Sequence, residues 1–188
     1  CGNSAININD LAQAEFCFKL VTDGPFFINA KIQLAKTYAQ QNYLEKALAT
    51  LRDTKDLKDV DKVKLVSTEI SLLNEFGSKD LARKRLDAAL EIYPDDLSLL
   101  LKKITVYELN KHPKELYALL AQAKNLIEPG NNRIQFVIRA GRILRANKHF
   151  RLSIDWLDAA IKETPDSKEL LYARALFKES LELYDEMI

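Results

Sequence analysis

The stretch HFRLSIDWLDAAIKETPDSKELLYARAL, residues 149–176, decides the fold. Its first half carries Leu157 and Ala160 at a three-residue interval on one side of a helix. It breaks at Thr164-Pro165-Asp166 and resumes helical spacing at once. Proline cannot continue a helix, so Pro165 ends one element. Asp166, with Glu169 three residues later, predicts a cap for the next. Two helices joined by a tight break are the unit to look for elsewhere in the chain.

That unit recurs. In the upstream helices, Ala35, Ile70, Thr105, Gly141 and Ala175 are separated by 35, 35, 36 and 34 residues. In the downstream helices, Ala47, Ala82, Leu116 and Ser153 are separated by 35, 34 and 37. Pro94, Pro129 and Pro165 follow the same interval. Three markers drifting about one period imply a repeat architecture. Each period reads as two helices, such as INAKIQLAKTYAQQ followed by YLEKALATLRD, or VKLVSTEISLLNEF, a Gly77-Ser78 break and DLARKRLDAALEIY. Their apolar residues recur at intervals of three and four, the spacing of one helix face. Small residues at Ala82, Ala89, Gly141, Ser153, Ala160 and Ala175 predict close helix approach. Leu86, Leu144, Phe150 and Leu157 predict the filling between. Pro113 falls where a first helical turn tolerates proline, and Asp95 and Asp96 read as caps.

Composition agrees. The 188 residues are 47% hydrophobic and 29% charged, with five Gly and five Pro, which excludes a disordered or loop-rich chain. The net charge of +1 supplies no global pull toward nucleic acid or an anionic membrane. No run of about 18 apolar residues predicts a membrane span. The expected class is therefore all-α: a right-handed α-solenoid of antiparallel helix pairs. Its expected divisions are an N-terminal segment and helix over 1–26, and repeats over 27–61, 62–97, 98–132 and 133–167. A further first helix with the start of a second is expected over 168–188.

These residues resemble tetratricopeptide repeats, helix-turn-helix units of about 34 residues with small, aromatic and proline positions at fixed offsets. The unit starting at Ile134 matches with Gly141, Phe150, Ser153, Leu157, Ala160 and Pro165. The unit at Val63 matches with Ala82, Leu86, Ala89 and Pro94. The unit at Ile28 matches with Leu34, Ala35, Tyr38, Ala47 and Leu51, although Asp59 replaces the proline. The unit near Ser98 keeps Thr105, but Leu116 stands where a small residue belongs. The resemblance spans about Phe27 to Ile188. The segment TPDSKELLYARALFKESLELYDEM also resembles repeats in bacterial envelope lipoproteins that recruit a processing protease to cell-wall hydrolases, through Pro165, Asp166, the run Leu170–Ala175 and Glu179.

The family resemblance implies that first helices line a concave surface where another protein or peptide binds. The lining positions would be Lys36, Lys64, Ser67, Ser71, Asn74, Lys102, Val106, Gln135, Arg142, Arg145 and Tyr172, with Arg139 beside Arg142. The groove is mixed and mildly basic, which suits an acidic or carboxylate-bearing segment. The same charges also fit solvated helix faces, since surface pairs contribute little. A chaperone-tail clamp, Lys then Asn at two of these positions, is disfavoured: the pairs here read Ile32 and Lys36, Ser67 and Ser71, Lys102 and Val106. Trp156 and Tyr172 read as inter-helix core more readily than as partner anchors.

Catalysis finds no support. His112 and His149 fall in turns and lack a ligand at helical spacing, so each reads as solvated and no metal site is predicted. No phosphate-cradling or nucleophile-elbow motif occurs. Neither cofactor nor nucleic acid is expected. Cys17 reads as a small core residue. Cys1, in CGNS, resembles the lipid-bearing residue of a mature bacterial lipoprotein and equally a non-native remnant ahead of an internal segment. The bacterial envelope and the cytoplasm both remain open. The absence of an initiator Met and the half-repeat character of residues 6–23 suggest a piece of a longer repeat protein. The function expected is a non-enzymatic scaffold or adaptor. The alternatives are a repeat module of a larger enzyme or signalling protein, an envelope assembly factor, or self-assembly through solenoid ends.

Overall fold

The computed structural model describes residues 11–53 and 57–185. Among these, every regular element is a helix: α1 (Leu11–Lys19), α2 (Phe27–Gln40), α3 (Leu44–Arg52), α4 (Asp59–Phe76), α5 (Lys79–Ile92), α6 (Leu97–Val106), a 3₁₀ turn (Leu109–Lys111), α7 (Pro113–Asn125), α8 (Asn131–Ala146), α9 (Phe150–Glu163) and α10 (Lys168–Asp185). The chain forms two compact units, Cys1–Lys102 and Lys103–Ile188.

In the first unit, α2 and α3 pack as a hairpin, α4 and α5 as a second, and α2 also lies against α4. The small positions explain the approach. Ala35, Ala47 and Ala82 are fully buried and Ala89 is nearly so, while Leu51, Leu65, Ile70 and Leu86 fill the space around them. α1 packs on α2. It is fixed there by Glu15, whose Oε1 accepts from Tyr38 Oη at 3.1 Å and pairs with Lys19 at 2.6 Å and Lys46 at 3.4 Å. Bonding to the Lys19 ammonium leads the causes that hold the Glu15 carboxyl below its usual pKa. Cys17 of α1 is buried, as a small core residue, and it is disulfide-bonded.

The first unit also holds a charge the repeat pattern does not announce. Glu69 on α4 is 1% exposed. Its Oε1 accepts from Arg52 Nε on α3 and its Oε2 from Arg85 Nε on α5, each at 2.7 Å. A buried carboxylate is tolerated only when paired and hydrogen-bonded, and here both oxygens are.

In the second unit, α8 and α9 form a hairpin and α10 packs on both. Gly141, Leu144, Ser153, Leu157 and Ala160 meet in its core. Trp156 is 3% exposed; its indole N–H donates to Val137 O at 2.8 Å and its ring meets Tyr117 edge-on at 5.3 Å. Trp156 is therefore core, as expected. Tyr172, 67% exposed, is not. Thr105 and Ala175, the other small-position markers, are exposed as well.

The helix ends show what local chemistry decides. α2 and α8 terminate alike. Asn42 and Lys148 take positive φ, 65° and 64°, and the next residues donate back, Tyr43 N to Tyr38 O at 2.8 Å and His149 N to Leu144 O at 2.9 Å. This six-to-one bond is the Schellman closure. Asp96 caps α6 as expected, accepting from Leu99 N at 3.0 Å. The cap of α10 is not Asp166. The turn carries the chain one residue further, so that Ser167 Oγ accepts from Leu170 N at 3.3 Å and donates to Glu169 at 3.0 Å. The stretch LSLLLKKITVYELN, residues 97–110, is α-helical only to Val106, and Glu108 then takes a left-handed φ of 53°. Pro113 opens α7 in its first turn.

Candidate functional site

Four of the predicted lining residues converge in the first unit. Lys36 on α2, Ser67 and Ser71 on α4, and Lys102 on α6 line one cavity of about 390 Å³, with Gln40, Thr68, Leu72, Glu75 and Phe76 completing it. The cavity thus sits among α2, α4 and α6. The reason is register. Residues four apart share a helix face, so Lys36 and Gln40, or Ser67 and Ser71, point the same way. Gln40, Thr68, Leu72 and Glu75 lie one helical turn, or one residue, from predicted ones. Extending the predicted stripe by a turn would have found Gln40 and Glu75.

The electrostatics of the cavity are unusual for a surface. Lys102 Nζ donates to Ser71 Oγ at 2.7 Å, and Ser71 in turn donates to Ser67 O at 3.2 Å. Burial lowers the Lys102 pKa below its ordinary value, and the Lys36 ammonium adds to the effect. Among the described residues, neither lysine has a carboxylate oxygen within ion-pair distance, although Glu75 stands in the wall. Two ammonium groups and several hydroxyls around one recess favour an incoming anion. A hydrogen bond to a carboxylate is about twice as strong as a neutral one.

The remaining predicted residues are not part of this cavity. Lys64 pairs with Asp61 at 3.2 Å along its own helix, and Asn74 is half-buried. Gln135, Arg139 and Arg142 lie exposed on α8 of the second unit. Arg145 is half-buried, its guanidinium 4.8 Å from the centre of the Phe177 ring. That contact gives it a packing role between α8 and α10. Val106 is buried at 1% and lines no surface.

His112 is exposed, in line with a solvated turn. His149 is not freely solvated, since its Nε2 lies 2.9 Å from Asn110 O. Among the described residues no group of His, Cys, Asp or Glu could hold a metal, and no helix is long and apolar enough to cross a membrane. Cys1, the candidate lipidation position, lies outside the described residues. Of the residues shared with envelope lipoproteins, Leu170 and Ala173 are core, and Arg174 is bonded to Asp158 of α9. Such residues build the hairpin rather than a contact site.

No protein-family model and no curated protein matches the chain. Among solved structures it is similar to residues 1–338 of an assembly chaperone of RpL4, Acl4. The TM-score is 0.50 at 14% sequence identity, over 99% of this chain and 82% of that one. At that identity the likeness shows a shared helical fold.

Proposed function

We propose that the chain is a non-enzymatic scaffold of the tetratricopeptide type, which captures a partner polypeptide along its first helices and seats an acidic side chain of it between Lys36 and Lys102. The observation that carries this reading is the cavity shared by those two lysines, neither of which is paired to a carboxylate among the described residues. The repeat period and the buried small positions support the family assignment. The fold neighbour is named as an assembly chaperone, a class whose work is to hold another protein, and this is consistent with partner capture.

An extended segment suits such a surface, because binding then needs one anchored anion and shape complementarity rather than a large flat interface. Ser67, Thr68 and Ser71 can accept or donate as the segment requires. Phe76 adds an apolar edge.

The test is an array of short peptides rich in Asp or Glu, probed with the full chain and with its Lys36→Glu and Lys102→Glu variants. Binding to acidic peptides that is lost in both variants supports the reading. Binding that ignores peptide charge, or survives both substitutions, rejects it.

A further inference from the structure

The second helices of the first unit carry a separate feature. α3 and α5 flank a trough of about 390 Å³. Leu44, Leu48 and Leu73 line it, and Leu81 stands beside them at 53% exposure. An exposed leucine beside a recess is open apolar surface that water covers poorly. Arg52 and Arg85 line the same trough.

Both arginines are held from behind. Glu69 takes the Nε–H of each, one per carboxylate oxygen. Guanidinium carries five N–H donors, and those bonds use a single one on each arginine. The Nη groups have no other hydrogen-bond partner among the described residues. Arginine normally loses side-chain freedom on binding. Here the buried carboxylate has already fixed both stems, so less remains to be lost. The charges around the trough favour an anion: Arg52, Lys84 and Arg85 stand against Glu45 at the edge and Glu69 beneath.

We propose that this trough docks a partner polypeptide segment presenting a carboxylate next to one aliphatic or aromatic side chain. The apolar side chain lies on Leu44 and Leu81, and the carboxylate bridges the outward nitrogens of Arg52 and Arg85. This surface is distinct from the Lys36–Lys102 cavity, and its claim does not depend on that cavity being used.

The experiment is an NMR titration of the full, isotope-labelled chain with acetyl-Leu-Glu-amide, with acetyl-Leu-Gln-amide and acetyl-Ser-Glu-amide as matched probes. The Arg52 and Arg85 Nε–Hε signals and the Leu81 methyls should shift with the first probe. The others should bind roughly tenfold more weakly. Leu81→Ser changes an exposed side chain and should abolish the shifts while leaving the spectrum otherwise native; Lys36→Glu should leave them intact. The proposal is overturned if no trough signal moves at about 10 mM probe. Equal shifts with acetyl-Ser-Glu-amide, or shifts confined to the Lys36–Lys102 cavity, also overturn it.

Discussion

The edge of the Phe177 ring on α10 stands over Gly141 on α8: a Cβ placed on Gly141 would lie 2.8 Å from Phe177 Cε2. The ring is 3% exposed and cannot swing into solvent without emptying the core. Alanine is better than glycine in a helix by about 1 kcal/mol. Overpacking a filled core costs about 1–3 kcal/mol. Gly141→Ala should therefore destabilise the protein by about 1 kcal/mol net, read as a lower urea midpoint with unchanged slope. A stabilised variant would show that the ring yields freely.

The buried carboxylate of Glu69 makes an asymmetric prediction. Replacing both Arg52 and Arg85 with Met leaves a buried charge without a partner and should cost about 3–5 kcal/mol. Glu69→Met leaves two arginines whose side chains are already 55% and 32% exposed and can hydrate. That change should cost less, about 1–2 kcal/mol. Urea unfolding of the two variants checks the order; a reversed order would mean that the carboxylate is more accessible than 1% exposure implies.

Capping of α10 separates neighbouring residues. Ser167→Ala removes the acceptor for Leu170 N and should cost about 1 kcal/mol. Asp166→Ala should cost only a few tenths. Thermal unfolding distinguishes them, and equal losses would return the cap to Asp166.

Lys102 sets a pH dependence. Its folded pKa is depressed below the ordinary 10.5, first by burial and then by Lys36. Between the folded and unfolded values the unfolded chain binds the extra proton, so stability rises with pH there. The charged group is unfavourable to the fold at neutral pH and is relieved as pH climbs through the folded pKa. The melting temperature of the wild type, compared with that of Lys102→Met, should therefore gain as pH approaches 10.5. A gap that stays flat in alkaline solution would mean that Lys102 is not desolvated. An anion held beside Lys102 should correspondingly bind less well as that proton leaves.

How far the sequence alone reaches depends on the distance over which a feature is encoded. Ala47, Ala82, Leu116 and Ser153 recur at the repeat period and are all buried, because the helical period and side-chain size are local properties. The closure at Asn42 and Lys148 was less visible, since lysine gives no sign of positive φ. Cap identity shifted by one residue, from Asp166 to Ser167, within the normal slack of helix boundaries. The early stop of α6 at Val106 was hidden by an apolar pattern that continues past it. The bridge from Arg52 through Glu69 to Arg85 joins three helices, and no motif spacing specifies it. In the cavity, the predicted stripe identified Lys36, Ser67, Ser71 and Lys102. Tertiary packing, not spacing, separated them from Lys64 and Asn74.

The central claim is that the recess between Lys36 and Lys102 receives an acid group of a partner chain. It is tested most directly by a double-mutant cycle in isothermal titration: Lys102→Met in the protein against Glu→Gln at each acid of an array-selected peptide. A coupling energy of about 1 kcal/mol or more at one glutamate, and near zero at the others, is predicted. Coupling near zero at every acidic position, with affinity unchanged by Lys102→Met, would contradict the account.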